Sequence, residues 1–265
     1  MRGRGLAMGG SEMNFENKLG PIEKLNQEIQ SLRPLSKGSL NQIKEYFRIG
    51  LTYSSNAIEG NTLTETETKI VLEDGLTVSG KPLRDHYEAS GHSEAFDFIY
   101  ELAKKKVISK KDILKIHRLF YYRIDEGNAG KYRKVPVTIS GTDYLPPPPS
   151  KVPSLMKKFL VRIPTLRKKL HPVVFAAKLH EELVNIHPFV DGNGRTARLL
   201  MNLALFQAGY PITVIPPILR GDYIALIKRS QTGKKDDTDF VNFISCMVYE
   251  SSKDYLRLLK HLNQH

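Results

Sequence analysis

The chain has 265 residues, 40% of them hydrophobic, with a formal net charge of +12 and a pI of about 9.6. That length supplies one large core, or one core with an appended lobe. The single cysteine, Cys246, excludes an internal disulfide and a cysteine-based zinc site, and no apolar run is long enough to span a bilayer.

The basic residues fall in dispersed clusters: Lys104–Lys106, Lys110–Lys111, Lys157–Lys158, Arg167–Lys169 and Lys234–Lys235. None is interleaved with aromatics, so solvated helix faces explain them and specific nucleic-acid binding is disfavoured. An acidic protein target or nucleotide steering fits the charge equally well. Met1 to Gly10 is Arg/Gly-rich without an apolar h-region, so a soluble cytoplasmic protein is expected.

Residues 1–20 have the composition of a disordered or loosely attached tail. Periodicity predicts a short helix over Ile22–Leu32, stopping before Pro34. Ser39 reads as the N-cap of a second helix reaching Ile58, with Leu40, Ile43, Phe47 and Leu51 at helical spacing and Gly60 as its C′ residue. Gly50 inside it costs about 1 kcal/mol relative to alanine. Ser55 and Glu59 lie four apart near its end and share a face.

Thr64 and Glu67 fit a capping box for a helix to about Asp74, closed by Gly75. Asp85 to Lys105 reads as a helix with Tyr87, Ala95, Phe98 and Leu102 inward; His86 and His92 on it take structural roles. Ser109 caps a helix from Lys111 to Phe120, on which His117 is a satisfied core histidine. Val135, Val137 and Ile139 alternate with Pro136, Thr138 and Ser140, and Gly141-Thr142-Asp143 supplies a turn before Pro146–Pro149. Two-residue periodicity of this kind predicts a short β-hairpin.

Ser150 is the expected cap of a helix to about Arg162, broken at Pro164. His171-Pro172 starts the next, Val173 to Ile186, with Ala176, Ala177, Leu183 and Val184 on its core side and His180 as packing. His180-Glu181 followed by His187 lacks the two-histidine spacing of HExxH, so zinc hydrolase chemistry is unsupported. Arg195 to Ala208 is apolar almost all round, the pattern of a buried central helix. Pro211 to Pro217 is an extended link, Asp222 to Arg229 a short helix, Gly233 to Asp239 a charged loop, and Phe240 to Leu262 a terminal amphipathic helix carrying Cys246 as a buried inert thiol.

His187-Pro188-Phe189-Val190-Asp191-Gly192-Asn193-Gly194-Arg195-Thr196-Ala197-Arg198 concentrates the chemistry. Gly192-Asn193-Gly194 is a permissive loop at a helix N-terminus, where backbone N–H groups and the dipole favour an anion. Arg195 and Arg198 lie three apart on neighbouring surface and suit phosphate oxygens. Asp191 offers a hard oxygen ligand for Mg²⁺, and His187 is the nearby side chain able to take a proton near neutral pH.

This run resembles the Fic signature HPFx[DE]GNGRxxR and matches it at every specified position. The resemblance implies a mostly α, Fic-type helical bundle with one β-hairpin flap, at about 130–146. The domain plan is a tail over 1–20, an N-terminal helical region over 21–110, a catalytic core over 111–232, and a C-terminal helix over 233–265 packed on the same lobe. It also implies protein adenylyltransferase activity: AMP passes from ATP, with Mg²⁺, to a Ser, Thr or Tyr hydroxyl of a protein target, and pyrophosphate leaves. His187 would be the base and Asp191 the metal ligand. Gly192, Asn193, Gly194 and Arg195 would seat the phosphates, and Arg198 the γ-phosphate.

The stretch Ser55–Asn61 resembles the family's inhibitory motif [ST]xxxE[GN], placed N-terminal to the core on a helix of about 39–59. Glu59 would then pair with Arg198 and block the γ-phosphate seat, with Ser55 beside it. The hairpin resembles the flap that holds a target by β-augmentation, which brings Ile139, Ser140, Gly141 and Thr142 to the nucleotide. Tyr223 matches a nucleotide-contacting tyrosine, and Gln231 follows within reach. Self-modification and a homodimer are compatible with the resemblance. Rival readings are a de-AMPylase, a transferase using another nucleotide donor, a nucleotide-binding module without turnover, or a basic nucleic-acid-binding regulator.

Overall fold

We describe a computed structural model of the chain, covering residues 15–263 apart from 140, 141, 143 and 233–237. At its centre stands a helix, Asn193–Gln207 (numbered α8 in chain order), whose residues from Leu199 to Leu205 are all buried. The other helices are α1 (Leu19–Ser31), α2 (Lys37–Ile58), α3 (Glu65–Lys69, continued by a π turn over Ile70–Asp74), α4 (Leu83–Leu102), α5 (Lys110–Tyr121), α6 (Val152–Lys169), α7 (Pro172–Ile186), α9 (Arg220–Thr232) and α10 (Thr238–Leu262). The all-apolar face of α8 is covered by α7 on one side and α4 and α5 on the other; α2 crosses α4, and α10 packs on α1 and α7. One hydrophobic cluster runs from Ile22 to Leu259, and a second, small one of Leu63, Val71 and Ala89 joins α3 to α4. No helix among the described residues is long and apolar enough to cross a membrane.

Caps explain most boundaries. Thr64 and Ser109 both form full capping boxes. The end of α2 is a Schellman turn: Gly60 N–H donates to Ala57 O at 3.0 Å and Asn61 N–H to Asn56 O at 3.1 Å, with Gly60 at φ 97°. Glu59 is therefore the C-cap residue of α2, held in a defined orientation.

Several expectations need correction. Ser36, not Ser39, caps α2, because its Oγ accepts the Ser39 N–H at 3.0 Å. Leu40 is 49% exposed, and on α4 Tyr87 is exposed and Phe98 half-buried while Phe96 and Ile99 fill the core. Ser150 lies in a 3₁₀ turn and does not cap α6, and α6 runs straight through Pro164. Pro164 sits on the solvent face, and burial of Phe159 and Ile163 holds the helix across the lost backbone bond. Cys246 is half-buried, its thiol bonded to Glu16 O. Phe15 stacks edge-on against Phe243 at 4.9 Å, so chain within the expected tail already packs on α10.

The expected hairpin is not seen: no strand occurs among the described residues, and those described between 131 and 148 form no helix or strand. Alternation alone does not make a ladder. Pro136 removes a donor, and no described residue forms a partner strand.

Candidate active site

The loop between α7 and α8 is built by its own side chains. Asn193 Oδ1 accepts the Phe189 N–H at 2.9 Å and its Nδ2 donates to Phe189 O at 3.0 Å. Thr196 Oγ1 donates back to Gly192 O at 2.9 Å. Gly192 has φ 76°, and a Cβ there would sit 2.3 Å from the Phe120 ring. His117 anchors the loop from beneath: its ring stacks on Phe189 at 3.8 Å, Nε2–H donates to Asp191 O at 3.1 Å and Nδ1 accepts from Gly130 N–H at 2.8 Å. Burial pushes its pKa down to about 4, so it stays neutral with that tautomer.

His187 caps α7 at φ 51°, the one non-glycine residue with positive φ among those described. Such a conformation costs about 1–3 kcal/mol and needs outside support. Arg133 provides it, donating from Nε to His187 O at 2.7 Å and from its backbone N–H to Pro188 O at 2.9 Å. His187 Nδ1 faces Val184 O at 3.3 Å. A carbonyl only accepts, so Nδ1 carries the proton and Nε2 keeps a free lone pair. Burial first, and the Arg133 charge after it, lower the pKa to about 4. The imidazole is thus a neutral base at pH 7.

Both arginines are buried. Arg198 Nε donates to Ser55 Oγ at 3.0 Å, Nη2 to Ser55 O at 2.8 Å and to Glu59 Oε1 at 2.7 Å, and Nη1 to Tyr223 OH at 3.1 Å. Arg195 Nη1 pairs with Glu88 at 2.9 Å and reaches Asn56 Oδ1 at 3.5 Å, while Nη2 lies 3.7 Å from Asp191. Burial alone would raise the Glu59 pKa, but Arg198 and Arg195 outweigh it and hold the carboxyl below its usual range. Gly194 makes the close approach to the loop feasible, because a Cβ there would meet Glu59 Oε1 at 2.4 Å. A carboxylate of the chain itself thus occupies the anion-favouring helix end.

Asp191 accepts the Gly192 N–H on Oδ1 at 2.6 Å and the Arg84 Nη2 on Oδ2 at 2.9 Å. Its side chain is 43% exposed. Among the described residues no group of three or more His, Cys, Asp or Glu could hold a metal ion. One open carboxylate fits a Mg²⁺ that takes its remaining ligands from phosphates and water, and does not fit an all-protein cage.

Other expected site residues are scattered. Ser140 and Gly141 lie outside the described residues. Ile139 and Thr142 are half-buried, and no described hydrogen bond joins them to the loop; Thr142 Oγ1 instead accepts from Tyr144 N–H at 3.2 Å. Tyr223 is 1% exposed and its hydroxyl bridges Arg198 and His180 Nε2, the latter at 2.8 Å. It therefore orients an arginine from inside the core. Gln231 makes no described hydrogen bond to the loop, and its Nε2 is buried without a partner.

Sequence reading missed Arg84, Glu88, Asn56 and the staple role of Arg133. Glu88 joins Arg84, at 3.1 Å, and Asn61, at 3.0 Å, to Arg195. The Arg84–Glu88 spacing of four was visible, but nothing in it says that the start of α4 meets the loop.

A family model described as Fic/DOC family matches residues 107–205, which include the whole of the loop. The solved structure of Fic-1 (residues 134–508) from C. elegans is 31% identical, covers 91% of this chain and 70% of its own, and superposes with a TM-score of 0.79. The chain belongs to the Fic/DOC family. A Fic-domain signalling protein from Bacteroides thetaiotaomicron is 29% identical with a TM-score of 0.82, over 91% of this chain and 97% of its own. Protein adenylyltransferase Fic from Drosophila melanogaster is 37% identical over 92% of this chain and 49% of its own length. The chain thus spans about half the length of the curated relatives it matches.

Proposed function

We propose that this Fic chain is an autoinhibited protein adenylyltransferase that moves AMP from ATP to a hydroxyl of a protein target. The observation that carries the reading is the pairing of His187, neutral with Nε2 free, with an anion seat that Glu59 now fills. Polyphosphate oxygens fit the Asn193 and Gly194 amides at the start of α8 and the Arg198 guanidinium once Glu59 leaves. Arg195, braced by Glu88, adds positive charge beneath them. A Mg²⁺ held by Asp191 would supply charge neutralisation on the phosphates. His187 Nε2 takes the proton of a Ser, Thr or Tyr hydroxyl, whose oxygen bonds to the α-phosphorus as the bond to pyrophosphate breaks. Positioning and electrostatics supply most of the rate enhancement. A target segment would pair beside the loop along residues 134–139, which form neither helix nor strand.

Glu59 and the γ-phosphate compete for Arg198. A hydrogen bond to a charged group contributes about 1.5–3 kcal/mol, so Glu59→Gly should raise transfer roughly ten- to hundredfold. The test incubates the wild type and Glu59→Gly with ATP labelled at the α- or the γ-phosphate. Covalent label from the α-position, faster in Glu59→Gly, is expected. Label from the γ-position, or none from either, overturns the reading.

A further inference from the structure

Three helices reach the active site at one end, and the same three build a second feature at the other. The site meets the C-terminus of α2 and the N-termini of α4 and α8. Their opposite ends enclose an open groove of about 1280 Å³. The 15 residues of α8 put the two poles about 22 Å apart, at 1.5 Å per residue.

The groove floor is aromatic and apolar. Tyr100 packs on Phe206 with ring centroids 4.4 Å apart, and Phe47 on Tyr255 at 5.9 Å. Tyr210 and Ile212 complete it, and Leu40 stands on the wall 49% exposed. The rim carries Arg33, Lys37, Lys44 and Lys104, and no lining residue is a carboxylate. Lys44 is paired with Asp97 at 2.5 Å. Among the described residues Arg33, Lys37 and Lys104 have no ion-pair partner.

We propose that this groove docks an acidic segment of a partner protein, with aromatic or aliphatic side chains on the floor and carboxylates against Arg33, Lys37 and Lys104. Charge complementarity selects that occupant. The chain's own first 14 residues carry Arg2 and Arg4 against one Glu12, the wrong sign. A second copy brings a net charge of +12 to a basic rim. Single metabolites sit in pockets of about 300–1,000 Å³, so the volume favours a chain segment. Burial of anchor side chains supplies affinity, and the rim charges supply selectivity and encounter rate.

The test uses a fluorescent peptide in which glutamates alternate with leucine and phenylalanine, titrated with the full chain and read by anisotropy. Saturable binding is expected, with no binding of the lysine counterpart of the same apolar pattern. Lys37→Glu with Lys104→Glu, and separately Leu40→Asp, should each weaken it at least about tenfold, the scale of losing charge-assisted or anchoring contacts. Lys157→Glu with Lys158→Glu, on α6, makes the same charge change elsewhere and should leave it unchanged. Circular dichroism confirms folding of each variant. Equal loss in the α6 variant means nonspecific attraction and overturns the proposal. Binding of oleate with none of the peptide overturns it in favour of an anionic lipid.

Discussion

The loop from His187 to Gly192 and the described residues between Lys131 and Pro148 both lack helix and strand, yet they are held by different contacts. The first is fixed from within and below: Asn193 bonds both polar groups of Phe189, Thr196 closes on Gly192, and His117 carries Asp191. In the second, the Arg133 guanidinium gathers His187 O, Val135 O and Pro147 O, and Tyr144 OH donates to Asn185 O. Lack of secondary structure therefore says little about rigidity. Within the loop, hydrogen bonds from side chains do the work that a helix or strand would otherwise do.

The largest expected effect tests the rigid loop. In the Glu59→Gly background, His187→Ala should lower transfer about 10²–10⁴-fold, the usual span for a general base. The pH profile of kcat/KM gives a second check. A depressed pKa leaves the base form intact above about 4, so the acidic limb should lie near there and well below the ordinary 6.5. Glu59 raises the His187 pKa, so its removal should push the limb lower still. A limb at 6.5 would show an exposed, unconstrained imidazole.

A matched pair of variants then separates the two regions. Asn193→Ala leaves the buried Phe189 N–H and C=O unpaired, which costs about 1–3 kcal/mol for each such group. Urea unfolding should show a loss of that size for the whole protein. Arg133→Met removes the staple but keeps a long apolar stem. It should accelerate amide exchange over 134–147 by roughly tenfold or more, from the loss of charge-assisted bonds of 1.5–3 kcal/mol, with a smaller change in global stability. Equal global losses would erase the distinction.

The rigid region was also the legible one. Residues 187–198 announced the loop and the helix start, because those needs are local: a glycine at Gly192 for positive φ, then a helix-favouring run. The helix order followed from periodicity and caps, and the Glu59–Arg198 pairing from the resemblance of Ser55–Asn61 to the family motif. What failed was non-local. The alternation at Val135, Val137 and Ile139 looked like strand, but a ladder needs a neighbour, and none is formed among the described residues. Pro164 looked like a break, but burial of Phe159 and Ile163 overrides one lost hydrogen bond. Glu88 and Arg84 look like an ordinary surface pair until α4 is packed against the loop.

Arg84 yields the smallest expected effect and the most informative sign. Its Nη2 sits on Asp191 Oδ2 at 2.9 Å, where a cation bound to the nucleotide would need access. Its Nε is tied to Glu88, which also braces Arg195. Arg84 is 55% exposed and Asp191 43%, so the pair is worth only about 0.2–1 kcal/mol. If Arg84 chiefly occupies Asp191, Arg84→Met frees the carboxylate. Mn²⁺ binding in the presence of a non-hydrolysable ATP analogue, followed by electron paramagnetic resonance, should then tighten by up to about fivefold. If Arg84 instead swings onto the phosphates when nucleotide arrives, the same variant weakens binding. A looser Mn²⁺ complex would place Arg84 with Arg195 and Arg198 as a third clamp, and would make the start of α4 part of the phosphate seat.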